Sequence, residues 1–77
     1  MQVKKKEKLF NLAKDAFPEM MNKTEASFYL WNREDIRGLN ALEHEHKIFF
    51  VIEHGKVWIT KSTLSRYLRN LETKFAA

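Results

Sequence analysis

Cysteine is absent from this chain of 77 residues, so neither a disulfide nor a thiolate metal site can hold it together. Proline occurs once and glycine twice, so most turns must be made by other residues. No apolar run approaches the roughly 18 residues of a membrane-spanning helix. No apolar segment follows the basic N-terminus as it would in a signal peptide. There is no thiol nucleophile, no glycine-rich phosphate loop and no evident carboxylate pair, so the familiar routes to catalysis lack their residues. The sequence is therefore read as a cytoplasmic binding protein and not an enzyme. No cofactor, metal, membrane or small-molecule substrate is expected.

What is present is enough for one domain over residues 1–77. The composition is 44% hydrophobic and 13% aromatic, too apolar for a disordered chain. At this length burial worth roughly 25 cal/mol per Å² barely offsets about 1.5 kcal/mol of ordering per residue. The aromatic residues are thus expected to fill the core and leave no enclosed pocket. The net charge is +4 with an isoelectric point near 9.5, a modest pull toward polyanions. Both ends are basic. Lys4, Lys5, Lys6, Lys8 and Lys14 crowd the first segment, and Lys61, Arg66, Arg69 and Lys74 the last, while the middle is slightly acidic. A charged run is ordinarily just a solvated face, so the charge alone identifies no partner.

Apolar spacing gives the elements. Leu9, Ala13 and Phe17 predict an amphipathic helix over 5–17, ended by Pro18 because the ring pushes Phe17 out of the helical region. Residues 20–23 read as a connector. Thr24 is the expected N-cap of a helix over "TEASFYLW", and Asn32 that of the next, in which Ile36, Leu39 and Leu42 form a stripe. Gly38 inside that helix costs about 1 kcal/mol relative to Ala, which suggests close approach by a neighbour. In "IFFVIEHGKVWIT", His54-Gly55 reads as the two-residue turn of a hairpin. Ile48, Phe50 and Ile52 are assigned to one face, Phe49 and Val51 to the other. Thr60 then caps a last helix whose stripe is Leu64, Tyr67, Leu68, Leu71 and Phe75.

The order helix, tight turn, helix, β-hairpin, helix resembles the winged helix-turn-helix of phage and transposon excisionases and the related MerR-like regulators. Three stretches carry the resemblance: Glu25-Ala26 in "TEASFYL", the glycine turn in "HGKVWIT", and "KSTLSRYL" over 61–68. It covers residues 22–71 and leaves 1–17 as an additional basic helix or arm. The fold class expected is α+β, mostly helical, with a two-stranded wing.

The resemblance implies a protein that binds double-stranded DNA through a recognition helix over 33–43 and through the wing. Arg33, Arg37 and Asn40 are the candidate base readers, since arginine can grip guanine and asparagine adenine bidentately. His54, Lys56 and Lys61 are the candidate phosphate contacts. Trp58 is expected in the core or half-buried, the alternative being a place against sugar and phosphate. His44, His46 and His54 have no recognised ligand spacing, so no metal site is assigned. By resemblance the protein would be a recombination directionality factor of a phage or mobile element. Its partners would be a recombinase, or further copies of itself on adjacent sites. A small transcriptional repressor and a plasmid relaxosome or partition factor are alternatives within DNA binding. A protein-interaction module, docking through a second helix that is acidic at Glu34, Asp35 and Glu43, is the alternative of another class.

Overall fold

A computed structural model describes the backbone of residues 8–76 and the side chains of 8–72. Among these residues the fold is α+β, with three α-helices and a three-stranded antiparallel sheet. In chain order the elements are a 3-10 turn (Lys14–Ala16), β1 (Met20–Met21), α1 (Lys23–Trp31), α2 (Ile36–His44), β2 (Val51–Glu53), β3 (Lys56–Thr60) and α3 (Lys61–Ala76). The sheet order is β1-β3-β2.

The connector expected at 20–23 is in fact the third strand. Met20 pairs with Thr60 and Met21 with Ile59, and the Lys61 amide donates to the Glu19 carbonyl at 2.8 Å. Two residues were too few to show a period of two. Their pairing gives the hairpin the extra strand that an isolated pair needs for stability. Met21 and Ile59 are both fully buried.

Helix α1 starts earlier than expected. Asn22, not Thr24, is its cap: the Asn22 side chain accepts from the Glu25 amide at 2.8 Å, and the Glu25 carboxylate accepts from the Asn22 amide at 3.0 Å. This reciprocal box satisfies two otherwise orphaned donors, which a cap at Thr24 would not do. Ala26, Ser27, Phe28 and Tyr29 are all buried, four in succession. Such a run covers every side of a helix. Accordingly α1 packs against β1, β3, α2 and α3.

The helix expected over 5–17 does not form in its described part. Asn11 has φ 58°, a left-handed conformation that no α-helix tolerates in its interior. The Asn11 amide donates to the Asn32 side-chain oxygen at 2.7 Å, and the Asn32 amide group donates back to the Asn11 side chain at 2.9 Å. The segment instead lies along α1. Phe10 meets Phe28 edge-on with ring centroids 4.9 Å apart, and the Lys14 ammonium donates to the Tyr29 carbonyl. Phe17 is buried as its spacing predicts, and its extended ψ of 146° is what Pro18 demands. Lys4, Lys5 and Lys6, and the side chains of Lys74 and Phe75, lie outside the described residues.

Asn32 is not the N-cap of α2. It is the left-handed C-cap of α1, at φ 56°, with its amide donating to the Phe28 carbonyl at 2.9 Å. Asp35 caps α2, accepting from the Gly38 amide at 2.9 Å. At Gly38 an added Cβ would lie 2.9 Å from both the Asp35 carboxylate and the Trp31 ring, the close approach that an internal glycine suggested. Helix α2 ends in a Schellman motif: the His46 amide donates to the Glu43 carbonyl and the Lys47 amide to the Leu42 carbonyl. His46 occupies its left-handed position, at φ 63°, where glycine is usual.

The hairpin pairs Val51 with Trp58, Ile52 with Val57 and Glu53 with Lys56. His54 at φ 53° and Gly55 at φ 75° make the two-residue turn. The first strand is shorter than the apolar run that suggested it. Ile48 is buried and Phe50 packs against the core, but Ile52 is 74% exposed despite sharing their parity. The hairpin overhangs the helices, so its inward face runs out of core before its tip. Thr60 caps α3 as expected, accepting from the Thr63 amide at 3.2 Å, and Leu64 is fully buried beneath it.

Two substitutions test this account by chemical denaturation. Asn22→Ala removes the box and is expected to cost about 1 kcal/mol. His46→Gly relieves the left-handed side chain and is expected to stabilise by about 1 kcal/mol. A neutral Asn22→Ala or a destabilising His46→Gly contradicts the assigned caps.

Candidate nucleic-acid interface

The side chains singled out in the sequence fall in four places. Arg33 lies in the turn between α1 and α2, ahead of the helix in which it was expected. Its guanidinium pairs with Asp35 at 3.3 Å while remaining 66% exposed. Because Arg33 precedes the cap, it does not share a helical face with Arg37. The face that α2 presents to solvent carries Arg37, Asn40 and His44, all exposed, while Leu39 and Leu42 hold the opposite side in the core. Arg37 and Asn40 are three residues apart, which makes them neighbours on the helix surface.

The acids beside these residues are committed to local structure. Asp35 holds the α2 N-terminus, and its pKa lies below the ordinary 3.8 chiefly because the Gly38 amide donates to the carboxylate, with Arg33 adding to the effect against partial burial. Glu34 accepts from the Thr24 hydroxyl at 3.4 Å.

His54 and Lys56 flank Gly55 at the exposed hairpin tip. Lys61 opens α3 just beyond the other end of β3, about 17 Å away at 3.3 Å per residue. Its ammonium points to the Asp15 carbonyl at 3.4 Å, so it ties the N-terminal segment to the sheet. Lys56 and Lys61 cannot reach the same phosphate. Trp58 is half-buried opposite Val51, as expected. No group of three or more His, Asp or Glu placed to hold a metal occurs among the described residues, and no described helix is long and apolar enough to cross a membrane.

One cluster escaped the sequence reading. His46, Lys47 and Phe49, from the segment after α2, face Arg66, Tyr67, Asn70 and Leu71 of α3 across an open groove of about 330 Å³. The residues come from opposite sides of the hairpin. Their only sequence signal is that Phe49 has the parity opposite to Ile48.

Comparison of the chain with family models, with curated proteins and with solved structures yields no match. The functional reading therefore rests on the arrangement of side chains.

The Asp35 contacts make a pH prediction. A carboxylate with a lowered folded pKa contributes stability that is present above its unfolded value. That contribution is lost as the pH falls through 3.8 toward the lowered value. Asp35→Asn keeps a capping oxygen but removes the charge, so its melting temperature should fall less steeply with acid than that of the parent chain. Identical acid profiles would show that Asp35 carries no charge-dependent stabilisation.

Proposed function

We propose that this protein is a winged-helix binder of double-stranded DNA, an excisionase-like accessory factor without chemistry of its own. The observation that carries the reading is the exposed pair Arg37 and Asn40 on α2, held outward by Leu39 and Leu42 on the other face. In this reading α1, the turn and α2 are the helix-turn-helix, and β2–β3 is the wing. Arg37 and Asn40 read base edges in the major groove, where each bidentate contact discriminates by about 1–3 kcal/mol. Arg33, at the entry to α2, contacts the backbone beside them after exchanging Asp35 for phosphate. Lys56 and His54 at the wing tip contact phosphates farther along the duplex. Lys61 is the weakest of the assigned contacts, since its ammonium already serves the Asp15 carbonyl.

A domain of this size covers few base pairs. Useful occupancy then calls for several copies on adjacent sites or for a recombinase alongside. A regulator of transcription would use the same contacts, and the output is decided by where the sites lie.

Fluorescence anisotropy with source-genome duplexes across a salt series tests the reading. Each neutralised phosphate contributes about −0.9 to the slope of log K against log salt. Arg37→Ala with Asn40→Ala should abolish preference for the best fragment while leaving general binding. Lys56→Ala should weaken all fragments alike and reduce the slope by about one unit. Folded protein that binds no duplex, or mutants that alter neither preference nor slope, would sink it.

A further inference from the structure

The groove between residues 46–49 and α3 shares no residue with the interface proposed above. Its floor is apolar, from Phe49, Tyr67 and Leu71, and its rim carries Lys47, Arg66 and Asn70. Phe49 is 58% exposed. Its backbone is fixed: the Phe49 amide donates to the Thr63 hydroxyl at 3.4 Å, and the Schellman turn sets the two residues before Ile48. Ile48 before it is fully buried and Phe50 after it packs against the core, so the Phe49 ring between them faces outward.

The charged side chains that line this floor have one sign. No acid lines the groove. Lys47 pairs with Glu45 at 3.6 Å, but both side chains are about half exposed, and such pairs contribute little and exchange readily. Arg66 is exposed and makes no ion pair among the described residues.

We propose that this groove docks an acidic peptide segment of a partner protein, with one large apolar side chain on the Phe49–Tyr67–Leu71 floor and flanking carboxylates on Arg66 and Lys47. An inorganic anion would find its donors here but leave the apolar floor uncovered. A polynucleotide needs a cationic track along its backbone, and only Lys47 and Arg66 carry permanent charge here. A second copy of the chain is disfavoured by the net charge of +4 that both copies would bring. Charge complementarity thus singles out an acidic partner.

The test is selection of a random-peptide display library against the intact protein, followed by anisotropy with labelled synthetic versions of the enriched peptides. Enriched peptides should carry Phe, Trp or Leu flanked by Asp and Glu. Arg66→Glu and Phe49→Ser should each weaken them by roughly tenfold or more, whereas Arg37→Ala should not. Both substituted side chains are exposed, and thermal melting by circular dichroism verifies that the variants fold. Several results overturn the proposal: no enrichment, enrichment of peptides without acids, or binding indifferent to Arg66→Glu. Dimerisation abolished by Phe49→Ser would make a second copy the occupant, and displacement of the peptide by single-stranded DNA would make it nucleic acid; either also overturns it. Duplex binding is measured on the same variants. Its retention separates this groove from the DNA interface, and its loss in both would merge the two and contradict a dedicated peptide site.

Discussion

Burial of α1 on every side is the constraint on which the rest of the structure depends. A surface helix needs one apolar stripe, and α2 and α3 follow that pattern. Helix α1 instead buries Ala26, Ser27, Phe28 and Tyr29 in succession, so a neighbour must cover each of its faces. The sheet, α2 and α3 supply some of that cover, and the N-terminal segment supplies more through Phe10 and Lys14. Polar atoms brought inside find partners: the Ser27 hydroxyl donates to the Thr24 carbonyl at 2.8 Å, and the Tyr29 hydroxyl meets that of Ser65 at 3.0 Å. With so little core available, losing any one layer would expose a large part of it.

The same constraint explains the N-terminal segment and the turn after α1 together. Asn11 and Asn32 both adopt left-handed backbone and exchange side-chain hydrogen bonds. Asparagine accepts this conformation better than most residues. One pair of side chains therefore ends α1, breaks the preceding segment out of helical geometry and fastens the two. Helix α2 follows a turn fixed at one end by Asn32 and at the other by the Asp35 cap. The direction in which Arg37 and Asn40 face is set by these contacts as much as by α2 itself.

Local chemistry made part of this legible in the sequence. The His54-Gly55 turn, the Thr60 cap, the α3 stripe at Leu64, Tyr67 and Leu68, and the close contact at Gly38 each depend on residues a few positions apart, and each was readable. What was missed depends on distant partners. Leu9, Ala13 and Phe17 have helical spacing, yet Asn32, far along the chain, decides the conformation of Asn11. Met20 and Met21 become a strand only because β3 lies beside them. Thr24 and Asn32 are good caps by residue type, but Asn22 has Glu25 at the right offset and Asp35 has the Gly38 amide. Misplacing the second cap carried Arg33 into a helix that it precedes. The groove at Phe49 was invisible for the same reason, since the hairpin separates its two walls in sequence.

The surface that results has two characters. On α2 and the hairpin tip, polar and cationic groups stand clear of the core, suited in the proposed reading to a duplex. Beside α3, an exposed ring sits within a cationic rim. The central claim is that the first of these meets DNA and the second does not. Backbone amide shifts recorded by NMR during titration with a preferred duplex test it most directly. The account predicts coincident changes at residues 37–40 and 54–56, with Phe49 and Arg66 unmoved. Changes confined to the groove, or spread evenly over the basic surface with none at Arg37 and Asn40, would contradict it.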